Sequence, residues 1–321
     1  MTGDNDKLSG SSPLAGRIAG APISWGVCEV AGWGHQLSAD QVLTEMAALG
    51  LAAAELGPDG FLPSVPEAAA DLLGRHQLAC VGGFMPVRLH EDGPSDGGTA
   101  DPVAAEIAAR IEQLRRSRAT TMVLAADTGL ESYDERPELD AAGWNRLLTR
   151  LDHASESAAA GGVTATLHPH MGTLVQNMAE VDRVLSGCGI VLCLDTGHMF
   201  VGGADVHAIA HSSPDRVAHV HLKDVDGDLA AEVGSGRLPY GTAVRKGLYT
   251  PLGQGAVGIG DLVIALERAG YAGWYVLEQD TVLDGEPPEG SGPVLQVRES
   301  LDFLAGLAPD LARDTAASRP A

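Results

Sequence analysis

Lysine is almost missing from this chain: Lys7, Lys223 and Lys246 are the only three among 321 residues. With arginine included, 21 basic residues stand against 43 acidic ones, for a formal net charge of −22 at pH 7. So acidic a chain repels phosphate backbones, which argues against nucleic-acid partners and against anionic membrane surfaces. Long apolar runs are also lacking. No stretch of about 18 or more apolar residues exists to span a bilayer, and residues 1–14 (MTGDNDKLSGSSPL) hold no apolar signal-peptide segment. Cysteine is sparse: Cys28, Cys80, Cys188 and Cys193 form no CxxC pair and are too few for a disulfide framework in a chain this long. Three of the four lie in or beside apolar segments, as buried thiols do. These absences point to a cytoplasmic protein.

What the sequence does hold is alternation. Its residues are 45% hydrophobic, ample for a large core. Short apolar runs that read as strands fall at 18–25, 51–56, 78–85, 119–126, 163–168, 189–195, 216–222 and 274–278. Amphipathic stretches lie between them at 38–49, 65–76, 101–117, 140–160, 176–186, 205–212 and 258–270, and a last one at 291–305 closes the count. Eight strand–helix pairs, each of roughly 30 to 40 residues, predict an α/β fold of the (β/α)₈ TIM-barrel type. A doubly wound open sheet is disfavoured, because no GxGxxG or GxxxxGK[ST] follows the first run. The barrel is expected to span 15–308 as one domain. The tails 1–14 and 309–321, rich in Ala, Ser, Pro and charge, are expected to be disordered. Residues 224–257 read as a long Gly-rich loop after the seventh strand, of the kind that serves as a lid or substrate loop.

Five of the eleven histidines, His168, His170, His198, His219 and His221, sit at or just past the ends of the fifth, sixth and seventh runs. In a TIM barrel that end carries the active site. Strand alternation sharpens the grouping. Thr164, Thr166 and His168 share one face of the fifth run, Val191, Cys193 and Asp195 one face of the sixth, Val217, His219 and His221 one face of the seventh, and Trp274, Val276 and Glu278 one face of the eighth. The opposite faces are aliphatic and should pack on the helices. His168, Asp195, His221 and Glu278 are then expected to point at one spot on the barrel axis. Two imidazoles and two carboxylates with room for water suit Mn²⁺, Co²⁺, Zn²⁺ or Fe²⁺. Four buried polar groups at matching strand ends are expensive unless a cation offsets them.

At these residues the sequence resembles the xylose-isomerase-like TIM-barrel superfamily of sugar isomerases, epimerases and dehydratases. The motifs are LDTGH (194–198), HVHLKD (219–224) and VLEQD (276–280), preceded by LHPHMGT (167–173). Within it, APISWGVCEVAGWGHQLS (21–38) and ELGPDGFLP (55–63) are similar to the inosose dehydratases. The resemblance covers residues 18–305. It implies a divalent metal, Mn²⁺ or Co²⁺, held by Asp195, His221 and Glu278, with His198 as a substrate contact or further ligand. It also implies glutathione as a cofactor, which no residue here shows independently. Many sugar epimerases of the superfamily carry a metal-binding Glu in the turn where this chain reads Leu167-His168-Pro169, so His168 stands in a carboxylate's place.

That exchange bears on the chemistry. A two-carboxylate arrangement suits proton exchange on both faces of an enediolate, whereas one carboxylate and one imidazole form an unequal pair suited to elimination. The expected reaction is loss of water from 2-keto-myo-inositol, giving a trihydroxycyclohexanedione, in inositol catabolism. Glu278 is the expected base and His168 or His198 the acid. Trp25, Glu29, Trp33 and His35 in the first loop are candidates for the wall around a polyol ring. Glu55, His170, His219 and Lys223 are candidate contacts to substrate oxygens, with Gln176 behind them. A metal-dependent ketose isomerase or 3-epimerase is the alternative activity, and a sugar-binding barrel without turnover the alternative class. Either way the partner is a small cyclitol or sugar, and a homo-oligomer is compatible with the sequence.

Overall fold

A computed structural model describes Leu14 and residues 16–91, 101–288 and 290–317. Of the expected tail at 1–14, residues 1–13 lie outside the described residues, while Leu14 is buried in the core. Eleven strands are described: β1 (Ile18–Gly20), β2 (Ala53–Ala54), β3 (Ala79–Cys80), β4 (Gly82–Val87), β5 (Thr121–Ala126), β6 (Thr164–Leu167), β7 (Val191–Asp195), β8 (Val217–Leu222), β9 (Asp224–Val225), β10 (Tyr249–Thr250) and β11 (Tyr275–Leu277). Nine form one parallel sheet in the order β3-β2-β1-β11-β8-β7-β6-β5-β4. Its two ends, β3 and β4, are a single stave interrupted at Val81. The Val81 N–H donates to Ala54 O at 3.0 Å, while its carbonyl accepts from Thr121 N at 3.1 Å, so the ring closes through that residue. The result is a barrel of eight staves.

The first strand is shorter than the apolar run that announces it. Pro22 carries no N–H for a ladder and fixes its φ, so residues Pro22–Trp25 wind into a 3₁₀ turn instead. The aliphatic faces pack outward as the alternation predicts: Leu167, Leu192, Leu194, Val220, Leu222 and Leu277 join the core under the helices. A separate small cluster of Ala19, Ala21, Ala53, Val81 and Val276 fills the barrel itself. Fully burying one leucine or valine contributes roughly 1.5–3 kcal/mol, so this layer accounts for much of the fold's stability.

Two expectations need correction. Residues 224–257 are folded: β9 pairs antiparallel with β10, and helices Gly227–Gly234 and Tyr240–Arg245 lie between them. Asp224 anchors the segment, its carboxylate accepting from the N–H groups of Val225, Gly253, Gly255 and Val257 at 2.8–3.1 Å. Gly255 is required there, since a Cβ would lie 2.3 Å from Asp224 Oδ1. Composition alone suggested a loose loop because Asp224 meets its partners only after the chain has turned back. Likewise, Ala308–Ala317 is a helix with Leu311 buried, so the expected tail at 309–321 begins as a helix anchored at Leu311. No helix among the described residues is long and apolar enough to cross a membrane. The four cysteines are free thiols.

Candidate metal centre and active site

The four residues expected on the barrel axis meet there. Ligating atoms of His168, Asp195, His221 and Glu278 all lie within 4.8 Å of one another. His168 Nε2 is 3.2 Å from His221 Nδ1 and 3.3 Å from Asp195 Oδ2. His221 Nδ1 is 3.6 Å from the same Asp195 oxygen and also touches Glu278 Oε2. His168, Asp195 and His221 are 1% exposed or less, so water does little to screen them.

Each motif has a local physical reason. Asp195 ends β7 and caps the helix Thr196–Val201, its Oδ1 accepting from His198 N at 2.6 Å, which leaves Oδ2 for the cluster. Thr196 Oγ1 donates to Lys223 O at 2.7 Å and accepts from Lys223 N at 2.8 Å, tying the two staves together. At Gly197 a Cβ would lie 2.5 Å from Lys223 Cβ and 2.8 Å from the Tyr249 ring, so only glycine lets the lysine pass. Beyond β8, Lys223 continues the inward face of His219 and His221.

Lys223 is fully buried, and three carboxylates surround its Nζ: Asp280 at 2.9 Å, Asp195 at 3.4 Å and Glu278 at 3.4 Å. Burial works against its charge, but Asp195, Asp280 and Glu278 outweigh burial and hold its pKa well above the usual lysine range. In return, Asp195 is held well below the ordinary carboxylate range, burial being overcome mainly by Lys223 and His198. Glu278 is also held low against burial, by His221 and Lys223. Asp280 moves the other way: burial raises its pKa, and Lys223 only partly offsets that. For His221, burial opposes charge, yet Cys193, Glu278 and Glu55 more than compensate and its pKa is raised well above the usual value.

This donor set fits a divalent cation. Two imidazole nitrogens and two carboxylate oxygens converge at distances too short for four unshared lone pairs, and Glu278 Oε2 is buried without a hydrogen-bond partner of its own. A proton on His221 fills the role only partly.

A cavity of about 500 Å³ opens above the cluster, in the range of small-molecule sites. His168, His170, Lys223, Glu278 and Asp280 lie on its floor; Glu29, Trp33, Phe84 and Tyr133 are on its walls. Of the expected substrate contacts, Glu29, Glu55, His170 and Lys223 border this space. Trp25 does not: it is fully buried, its Nε1 donating to Glu45 Oε2 at 2.7 Å, so it is a packing residue of the first loop. His198 and His219 also stand behind the lining. His198 Nε2 accepts from Lys223 Nζ at 2.7 Å while Nδ1 faces Tyr249 Oη at 3.3 Å. Burial, then His170 and Lys223, hold its pKa well below the usual value, which disfavours an imidazolium acid there, and the contact with Lys223 occupies Nε2. His170 is similarly pushed down to about 3 by burial, His168 and Lys223. Gln176 is spent on Gly172 N at 2.7 Å, and His35 pairs with Glu286 at 2.7 Å in an exposed position.

Sequence reasoning missed Asp280, Tyr240 and Tyr249. Tyr240 Oη donates to Asp280 Oδ2 at 3.1 Å and meets Tyr249 Oη at 2.9 Å. Asp280 was within reach, because it continues the inward parity of Val276 and Glu278 as Lys223 continues that of His221. The tyrosines carried no such signal, since they arrive from the folded 224–257 segment.

A family model described as "Xylose isomerase-like TIM barrel" matches residues 43–307. "Rhizopine catabolism protein MocC" of Rhizobium meliloti is 30% identical over 319 residues, 96% of this chain and 93% of that protein. "Inosose dehydratase" of Geobacillus kaustophilus (strain HTA426) is 30% identical over 275 residues, 82% of this chain and 87% of that protein. Among solved structures, L-ribulose 3-epimerase superposes with a TM-score of 0.67 at 17% identity, over 95% of this chain and 99% of the other. The IolI protein with a binding zinc atom gives 0.66 at 13% identity, over 92% and 99%. At such identities these two speak for the fold alone.

Proposed function

The chain belongs to the xylose isomerase-like TIM-barrel family, and from that premise we propose that it is a metal-dependent hydro-lyase acting on 2-keto-myo-inositol (inosose) or a closely similar keto-cyclitol. The product is the trihydroxycyclohexanedione formed by loss of one water. The relatives named inosose dehydratase support this reading, at 25–30% identity over more than four-fifths of this chain. The observation that carries it is an unequal pair on one cavity floor: the Glu278 carboxylate and the Lys223 ammonium, 3.4 Å apart.

His168, Asp195, His221 and Glu278 would hold the cation, Mn²⁺ or Co²⁺. When bound, it supplies Lewis acidity to the ketone oxygen and stabilises negative charge on the enolate. Glu278, kept ionised by His221 and Lys223, takes the proton from the carbon α to the ketone. The C–H electron pair becomes the new C=C bond as the β C–O bond breaks. The departing hydroxyl needs a proton, and Lys223 Nζ, held charged beside Asp280, donates it; water leaves, and the proton taken up by Glu278 returns to the amine 3.4 Å away, restoring both groups. His170, neutral and facing the cavity, presents a hydrogen bond to a ring hydroxyl. The apolar walls at Trp33, Phe84 and Tyr133 match the carbon faces of a six-membered ring and exclude water.

The test is incubation of Mn²⁺- or Co²⁺-loaded protein with a panel of inososes and ketoses, read by mass spectrometry. Loss of water with appearance of a conjugated-dione absorbance is expected for inososes. A product of unchanged mass would instead identify an isomerase or epimerase, and no turnover a binding protein. Wild-type turnover by metal-loaded Glu278→Gln and Lys223→Met variants would refute the assignment of base and acid.

A further inference from the structure

Glu55 stands outside the cation-binding quartet, yet it decides how His221 enters it. Its Oε1 lies 3.0 Å from His219 Nε2 and 3.0 Å from His221 Nε2, with all three residues buried. A carboxylate oxygen only accepts, so both Nε2 atoms carry the protons. In a neutral imidazole this leaves Nδ1 as the bare lone pair. For His221 that atom faces His168, Asp195 and Glu278. For His219 it is buried without a partner, and an unused acceptor costs less there than an unused donor would.

Among the described residues, three groups of side chains have the proximity to hold a cation: His168, Asp195, His221 and Glu278; His168, Cys193 and His221; and Glu55, His219 and His221. All of them need His221, and a neutral imidazole has one lone pair to give. We infer that Glu55 is a positioning residue that locks His221 in its Nε2–H tautomer and turns Nδ1 to the quartet, so that the Glu55–His219–His221 triangle supports the cation site and is not a second one. The backbone is built for this. Glu55 N donates to Gly20 O at 3.1 Å, which ties the residue's backbone to the neighbouring stave. Carboxylate partners of this kind orient ligating histidines generally, and their loss weakens metal binding by roughly 10–100-fold. The inference rests on the cation reading of the quartet given above.

The experiment titrates Co²⁺ into the full-length protein stripped of metal, read by calorimetry and by the visible absorption of the bound ion. Wild type is compared with Glu55→Ala and Glu55→Gln, and circular dichroism checks the folding of each. Glu55→Ala is expected to bind roughly 10–100-fold more weakly with an altered spectrum. Glu55→Gln, whose amide oxygen accepts from the same two N–H groups, recovers most of the affinity. If Glu55→Ala fails to fold, Glu55→Met replaces it as the variant of similar length without an acceptor. Wild-type affinity in a folded variant without the acceptor overturns the inference, as does equal weakening by Gln and Ala. A second equivalent of Co²⁺ in wild type that disappears in Glu55→Gln also overturns it. Failure of wild type to bind any Co²⁺ sinks the cation reading itself, an outcome visible before any variant is made.

Discussion

Replacing Lys223 by methionine keeps the shape of the side chain and removes its charge, which makes it a sharp probe of the centre's electrostatics. Nζ lies within 3.4 Å of Asp195, Glu278 and Asp280, and it is the only lysine or arginine side chain paired with any of them among the described residues. With the amine gone, three buried carboxylates face one another. Removing one partner of a buried charge pair costs about 3–5 kcal/mol. A chain of this length has an unfolding entropy near 0.7 kcal/mol per kelvin, so the metal-free variant should melt about 4–8 °C below wild type. The gap narrows on adding a divalent cation. The ion now meets one more uncompensated negative charge, so it binds at least tenfold more tightly, worth about 1.4 kcal/mol. Its stabilising shift at equal concentration should exceed that of wild type by about 2 °C. Differential scanning fluorimetry with and without Mn²⁺ measures both. A metal-free variant melting within a degree of wild type, or a Mn²⁺ shift no larger than wild type's, would refute the view that Lys223 balances the quartet.

Metal affinity should rise with pH. The proton held on His221 by its raised pKa competes with the cation for Nδ1, so tightening of roughly tenfold per pH unit is expected until that pKa is passed; calorimetry in buffers of differing ionisation enthalpy should show one proton released, and a flat profile would count against it. Tyr240→Phe removes the hydroxyl that meets Asp280 at 3.1 Å and Tyr249 at 2.9 Å. Losing about 1–1.5 kcal/mol of positioning should lower kcat roughly tenfold with the melting temperature little changed, measured by steady-state kinetics. Gly197→Ala drives a methyl to 2.5 Å from Lys223 Cβ. Overpacking of about 1–3 kcal/mol should lower the melting temperature and displace the lysine, whereas a fully active variant would show that the helix shifts freely.

How much of this was legible beforehand differs from residue to residue. The parity of β6, β7, β8 and β11 placed His168, Asp195, His221 and Glu278 on one axis, because a strand's two-residue period is local and a barrel has one inside. The same rule reached Glu55 and, extended two residues past each strand, would have reached Asp280. Parity does not extend to His198, expected from the resemblance alone: it follows β7 in a helix that begins at the Asp195 cap, and its ring lies behind the cavity lining. Trp25 was misjudged for a related reason: the 3₁₀ turn after Gly20 swings it into the core against Glu45.

The chain's own order of residues therefore determined the eight staves, the acid excess and the inward set of ligating side chains, all properties written at the range of a few neighbours. Tertiary structure alone decided which nitrogen of His221 faces the quartet, which carboxylates Lys223 balances, and that the glycine-rich segment after β8 folds to bring Tyr240 and Tyr249 to Asp280. Those outcomes depend on partners between 9 and 166 positions apart, and a contact across such a span exists only once the barrel has closed and its burial has made each unpaired charge too costly to leave alone.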